Sequence, residues 1–126
     1  MFNLKAIERV KVIYKKINFI NAIVQEKGSI TIALEDEQNS RASILMHLTS
    51  IAEQFDKLLH NGELEVLSYF EKEDIKGSYE LRNFIAHDYD GVSLGIIEDT
   101  LRYKIPPFLE IINTILKENI TRMKLI

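Results

Sequence analysis

The sequence contains no cysteine and no tryptophan, and it has only two prolines and five glycines among 126 residues. Without cysteine the chain has no disulfide framework, no thiolate metal ligand and no cysteine nucleophile, a pattern typical of a reducing compartment. No apolar run approaches the roughly 18 residues that a membrane span needs, and the first residues lack the apolar core of a signal peptide. We therefore expect a cytoplasmic protein without a membrane segment.

The composition is that of a single globular domain, which we take to cover residues 1–126, with 46% hydrophobic and 28% charged residues. Its net charge of −3 is unevenly distributed. Residues 1–27 carry six basic against two acidic side chains, residues 28–99 carry five against fifteen, and residues 100–126 carry five against two. This distribution excludes a uniformly basic nucleic-acid coat, but it leaves room for a local basic stripe.

Apolar residues recur at steps of three and four in three long segments, which predicts amphipathic helices. In the first helix the predicted buried stripe is Leu4, Ile7, Val10, Tyr14, Ile17, Ile20 and Val24. In the segment from Gln38 to His60 the predicted buried stripe is Ile44, Leu48, Ile51, Phe55 and Leu58, and it is widened by Leu45, Ala52 and Leu59. The predicted polar face of this segment carries Ser43, His47, Ser50, Gln54 and Lys57. In the last segment it is Ile97, Leu101, Ile105, Phe108, Ile112 and Ile115. The width of the second stripe indicates burial against more than one neighbour, a second subunit being one candidate.

Shorter helices are predicted over 64–70 and 75–86, and Gly28, Gly62 and Gly91 are placed to end helices in a left-handed conformation. Pro106 and Pro107 predict a kink or a junction of two helices. The alternating residues 29–34 also suit a strand, but a strand without a partner is unstable, so we predict a loop or one short turn of helix. The fold prediction is an all-α, compact up-and-down bundle.

The candidate chemistry lies in residues 80–90, where an arginine, an asparagine, a histidine and a tyrosine are close in sequence. His47 and His60 are better explained as structural or solvated side chains. Arg82 and His87 are five residues apart, about 140° around a helix, so they do not face one ligand from mid-helix. Two arrangements would bring them together: the helix ends near Ala86 and His87 turns back, or a twofold axis places Arg82 of one subunit beside His87 of the other.

This residue pair suits metal-free RNA cleavage, in which the ribose 2′-hydroxyl attacks the neighbouring phosphorus. A histidine can serve as the acid or the base near neutral pH, and the planar fork of Arg82 matches phosphate oxygens. Asn83 shares a helix face with His87 and could orient the imidazole or the phosphate. The residues by themselves are a weak indication, and they favour the plainer explanation of a surface Arg–Asp pair and a histidine that caps a helix.

The run from Arg82 to Tyr89 resembles the Arg-Asn-x-x-x-His-x-Tyr signature of HEPN-domain proteins of the HepT-like toxin family. Residues 50–54 resemble the Ile-Gly-Glu-Ala helix of that family, the stretch after Tyr89 resembles its Asp-Tyr-x-Gly-Val segment, and Ile105-Pro106 matches the proline that closes its next helix. The resemblance covers residues 4–118.

The resemblance implies a HEPN-like helical homodimer that acts as an endoribonuclease toxin on tRNA or mRNA, without metal or cofactor, in a type VII-like toxin–antitoxin system. Arg82, Asn83 and His87 would be catalytic. The implied partner is a minimal nucleotidyltransferase antitoxin that transfers AMP to the signature tyrosine, here Tyr89; the plainer interpretation is an aromatic side chain covering a helix end.

Acidic residues flank the signature, so the basic first helix is a candidate RNA-binding surface through Lys5, Arg9 and Lys16, unless these are simply solvated charges. Two other functions stay open. One is a non-catalytic helical interaction module or substrate partner of the nucleotidyltransferase, and the other is a purely structural helical oligomer.

Overall fold

The computed structural model describes residues 2–125, and these residues form helices and turns with no strand. The helices are α1 (Leu4–Lys27), α2 (Ile30–Glu35), α3 (Ala42–His60), α4 (Leu64–Leu67), α5 (Lys72–His87), α6 (Leu94–Asp99) and α7 (Ile105–Lys124). One π-helical turn, Glu37–Arg41, leads into α3, and a second, Thr100–Lys104, joins α6 to α7. The all-α prediction is confirmed. No helix within these residues is long and apolar enough to cross a membrane.

Helix α3 is the centre of the fold, because it packs against α1 on one side and α5 on the other, while α1 also contacts α7. Its predicted stripe is buried, and the wide apolar face is explained by neighbours within the same chain. Two residues of α3 differ from the prediction. Leu59 is exposed, and Gln54, expected on the polar face, is buried where its Oε1 accepts a hydrogen bond from Arg9 Nη1 at 3.4 Å.

The predicted stripe of α1 was wrong at two positions, because Leu4 and Tyr14 are exposed while Ala6 and Ile13 are buried. Ile13 and Tyr14 are adjacent, so only one of them can lie at the centre of the buried face. The fully apolar isoleucine takes that place, and the tyrosine keeps its hydroxyl near water. The predicted stripe of the last segment is buried throughout residues 97–115.

Two of the three predicted glycine caps are confirmed, since Gly28 and Gly62 have φ of 100° and 68°. The prediction for Gly91 was wrong, because it has no positive φ and α5 ends earlier, at His87. Gly91 instead closes a turn in which its N–H donates to Oδ1 and the carbonyl of Asp88, both at 3.1 Å. A Cβ at Gly91 would overlap the Asp88 carboxylate in its present position, so a larger residue there would require this exposed side chain to move.

The short elements match in kind and differ in their bounds. Residues 29–34 form the predicted turn of helix, α2, which begins after Ser29, whose hydroxyl accepts a hydrogen bond from the Ile32 N–H at 3.1 Å. Helix α4 ends at Leu67 and α5 begins at Lys72, so the predicted bounds of both were inaccurate. Pro106 and Pro107 lie in the first turn of α7, where a helix needs no backbone donor. They therefore mark the predicted junction of two helices. Pro106, which the resemblance matches to a proline that closes a helix, lies where α7 begins.

Candidate functional site

Helix α5 carries the signature and is attached to the protein along one side. Ile85 is its one buried residue, and the helix packs against α3. Arg82, Asn83 and His87 lie in its last turns, and Tyr89 follows in the turn formed by residues 88–91. The signature is thus presented at the open end of a helix whose other side is fixed to the core.

Arg82 points toward α3, and its side chain is 28% exposed. Its Nη1 lies 3.9 Å from Oδ2 of Asp56, and its guanidinium carbon lies 5.9 Å from the centre of the Tyr79 ring. Asp56 also lies near His60, with 3.4 Å between its Oδ1 and the His60 Nδ1. Arg82 is therefore held by a carboxylate and an aromatic ring while several of its five N–H donors remain available.

Asn83 and His87 are exposed and lie one helical turn apart. Because α5 continues through His87, the regular helix keeps the Arg82 and His87 side chains about 140° apart. The first of the two arrangements, in which His87 turns back, is not what the structure has. One chain therefore does not bring Arg82 and His87 together.

Tyr89 is exposed, as are the neighbouring residues Asp88 and Asp90. The hydrogen bonds from Gly91 to Asp88 close the turn that presents Tyr89. Tyr89 is 44% exposed, so an incoming reagent can reach part of its side chain.

The basic residues of α1 lie away from the signature. Arg9 bonds Gln54 on the α1 side of α3, whereas Arg82 contacts Asp56 on the α5 side. Residues 54 and 56 point about 160° apart around α3. Lys5, Arg9 and Lys16 therefore do not form one continuous surface with the Arg82–His87 segment of the same chain.

Asp56 and Tyr79 are the contacts of Arg82 that sequence reasoning missed. Periodicity places Asp56 only at an edge of α3, and it gives no signal that α5 crosses there. The Tyr79 hydroxyl is buried without a hydrogen-bond partner among the described residues. Burial raises the pKa of Tyr79, and the nearby Asp56 charge adds to this while Arg82 opposes it.

A cavity of about 380 Å³ lies along another side of α5, between it, α3 and residues 96–108. Its walls are mainly apolar, including Leu48, Leu81 and Phe84, and the ion pair between Lys104 and Asp74, at 2.8 Å, lies at its edge. Among residues 2–125 no group of three histidine or carboxylate side chains is placed to hold a metal ion.

The fold is an all-helical bundle that carries the segment from Arg82 to Tyr89 at the end of one helix, and this fold fits the HEPN class. The family model described as "Ribonuclease HepT-like" matches residues 4–115, and the chain belongs to this family. Comparison with curated proteins and with solved structures gives no match. Family membership supports a ribonuclease activity, with RNA as substrate and a toxin–antitoxin context, at the level of the family.

Proposed function

We propose that this protein is a metal-independent endoribonuclease toxin that acts in the cytoplasm as a homodimer. The observation that carries the proposal is that the end of α5 in a HepT-like chain presents an exposed Asn83–His87 face and, on another face, an Arg82 that is paired with Asp56. Because one chain keeps Arg82 and His87 apart, the proposed site combines Arg82 of one subunit with His87 of the other across a twofold axis.

In the proposed reaction the ribose 2′-oxygen forms a bond to the adjacent phosphorus and the bond to the 5′-oxygen breaks. His87 takes the 2′ proton or supplies the proton that the leaving 5′-oxygen gains, and solvent exchanges the other of these two protons. Arg82 stabilises the charge on the phosphate oxygens. Asn83 orients the imidazole or the phosphate. The products are a 2′,3′-cyclic phosphate and a 5′-hydroxyl, and water is not consumed in this step.

The test is cleavage of tRNA and mRNA by the purified protein in EDTA, with the new ends identified by mass spectrometry. We expect 2′,3′-cyclic phosphate ends, and a loss of about 10²- to 10⁴-fold in rate for His87→Ala. Arg102→Ala is the control for Arg82→Ala, because Arg102 is an exposed arginine paired with Glu98 outside the signature. Undiminished cleavage by His87→Ala would show that another group does the chemistry.

Tyr89 is the proposed acceptor of AMP from a nucleotidyltransferase antitoxin. Its phenolic oxygen would form a bond to the α-phosphorus of a nucleoside triphosphate and release pyrophosphate. The added phosphate, close to Arg82 and His87 in sequence, would repel RNA phosphates and occupy cationic donors. Intact mass after co-expression with the partner tests this, and Tyr89→Phe should abolish any added AMP.

A non-catalytic partner of the nucleotidyltransferase is the second candidate, favoured by the ion pair of Arg82 with Asp56 and by the exposed acids near the signature. Expression without the partner distinguishes the two. Growth arrest that Arg82→Ala relieves supports the ribonuclease, whereas a harmless wild-type protein supports the interaction module.

A further inference from the structure

Helix α1 has a concentration of unpaired positive charge. Residues 4–16 of this helix carry five basic side chains and one acid, Glu8, and the basic residues are Lys5, Arg9, Lys11, Lys15 and Lys16. Among residues 2–125, none of the five has a carboxylate oxygen within 4 Å, whereas Arg102, Lys104 and Arg122 all do. These charges therefore remain available to an external anion.

Three of these cations form a line along the helix. Lys5, Arg9 and Lys16 fall within about 40° of one another around α1, and they span about 17 Å along its axis. Arg9 is oriented by its hydrogen bond to the buried Gln54, which as a neutral amide leaves the arginine charge uncompensated. The line follows the side of α1 that faces α3.

An aromatic surface lies at the end of this line. The Phe19 side chain is large and apolar, yet the residue is 41% exposed. The Nζ atoms of Lys15 and Lys16 lie 5.6 and 5.8 Å from the centre of its ring, and the His47 ring of α3 is 5.3 Å from it, tilted by 46°. The accessible Phe19 ring thus lies between two flexible lysine side chains and the His47 ring.

His47 contributes as a neutral ring. Burial lowers its pKa, and the charge of Lys16 lowers it further. At neutral pH the imidazole is therefore uncharged, so it adds a flat, polarisable surface and leaves the positive charge of the region to the lysines and Arg9.

We propose that the surface formed by Lys5, Arg9, Lys15, Lys16, Phe19 and His47, which we term the α1 platform, binds single-stranded RNA. Cations at helical spacing suit successive phosphates, and an exposed ring suits base stacking, the combination by which proteins hold single strands without sequence preference. The choice of RNA as ligand rests on the proposed ribonuclease function. The α1 platform and the signature lie on different sides of α3, so the bound strand is held away from the phosphate that is cut.

The experiment measures binding separately from cleavage. A fluorescein-labelled RNA of about 12 nucleotides, made of adenosine and cytidine so that it does not fold on itself, is titrated with the His87→Ala protein and followed by fluorescence anisotropy at several salt concentrations. In that background Phe19→Ala should raise Kd about 5- to 150-fold, the range expected for loss of one stacked base. Lys16→Gln should lower the slope of log Kd against log salt by about 0.7.

Matched controls lie outside the platform. Tyr103→Ala removes another exposed aromatic side chain, 67% exposed, and Lys117→Gln removes an exposed lysine of α7; both should leave Kd within about twofold. If Phe19→Ala lowers the folded fraction in circular dichroism, Phe19→Leu replaces it, because leucine keeps an apolar side chain but offers no ring for stacking. The Lys15→Gln/Lys16→Gln double variant tests the charge separately, and a fall in salt slope of about 1.4 is expected.

Unchanged Kd and salt slope in the Phe19 and Lys16 variants would overturn the α1 platform. A lower salt slope in the Lys16 variant without any effect of Phe19→Ala would also overturn it. Binding by charge alone does not select RNA, because the same lysines would bind an acidic protein. The two proposals fail differently. RNA that is bound through Phe19 but never cut by the unmodified protein contradicts the ribonuclease and leaves the platform intact, whereas RNA that is cut without help from these residues contradicts the platform alone.

Discussion

At the scale of single residues, Asp56 is the carboxylate paired with Arg82, and it biases the orientation of the guanidinium. The separation of 3.9 Å is at the outer limit of an ion pair, so the attraction is weak and the guanidinium keeps donors for a phosphate. The carboxylate restricts the orientation of the arginine without neutralising it completely. Asp56 is therefore a positioning residue for the proposed reaction.

Asp56→Asn should keep the fold, because a partly exposed ion pair contributes no more than about 1 kcal/mol. The single-turnover rate at saturating RNA should fall by roughly tenfold, since misplacement of a binding group is costly to catalysis. Asp90→Asn, which removes an exposed acid after the signature, is the control. Faster cleavage by Asp56→Asn would mean that the carboxylate competes with RNA for Arg82, contrary to the positioning role.

Tyr79 gives a second prediction at this scale. A buried hydroxyl without a partner costs about 1–3 kcal/mol relative to a hydrogen-bonded one, so Tyr79→Phe should leave the free energy of unfolding in urea unchanged or raise it by about 1 kcal/mol. The ring that contacts Arg82 is kept in this variant. Destabilisation by more than about 1 kcal/mol would show that the hydroxyl has a partner in solution.

At the scale of secondary structure, α5 combines a functional segment with weak attachment. It has one buried residue, and Gly77 lies in its middle with open space around the position of a Cβ. Glycine inside a helix is about 1 kcal/mol less favourable than alanine, because it loses more backbone entropy. The helix that presents Arg82 and His87 is therefore less stable with glycine at position 77 than it would be with alanine.

Gly77→Ala should raise the free energy of unfolding by about 1 kcal/mol, visible as a higher Tm in a thermal melt. Gly28→Ala is the opposite case, because Gly28 has a φ of 100°, and its replacement should cost about 1–2 kcal/mol. A lower Tm for Gly77→Ala would indicate that another surface, such as a second subunit, packs closely on α5 at this point.

The helices show where sequence patterns are informative. The stripe from Ile97 to Ile115 was predictable residue by residue, because its members recur at steps of three and four and all lie in the core, whereas the buried Asn119 of α7 gives no such signal. In α1 the neighbours Ile13 and Tyr14 both suit a buried face, and only the packing against α3 decides between them. The contact of Arg82 with Asp56 joins residues 26 positions apart, and its existence depends on how α5 crosses α3, which no local pattern encodes.

At the scale of the whole molecule, the proposed activity depends on two chains. Arg82 and His87 leave α5 about 140° apart, so a composite site requires each subunit to supply one of them. A composite site, unlike a site within one chain, allows complementation. Two inactive variants, each lacking a different residue, can restore one complete site when they form a mixed dimer.

Co-expression of the Arg82→Ala and His87→Ala variants should therefore recover about a quarter of wild-type RNA cleavage, because half of the randomly paired dimers are mixed and each contains one intact site out of two. The control mixes wild-type subunits with the Arg82→Ala/His87→Ala double variant. In a composite site this mixture also retains about a quarter of the activity, because only wild-type homodimers keep intact sites, whereas sites within single chains would retain about half. No recovery in the first mixture, together with half activity in the second, would show that each chain cuts RNA alone.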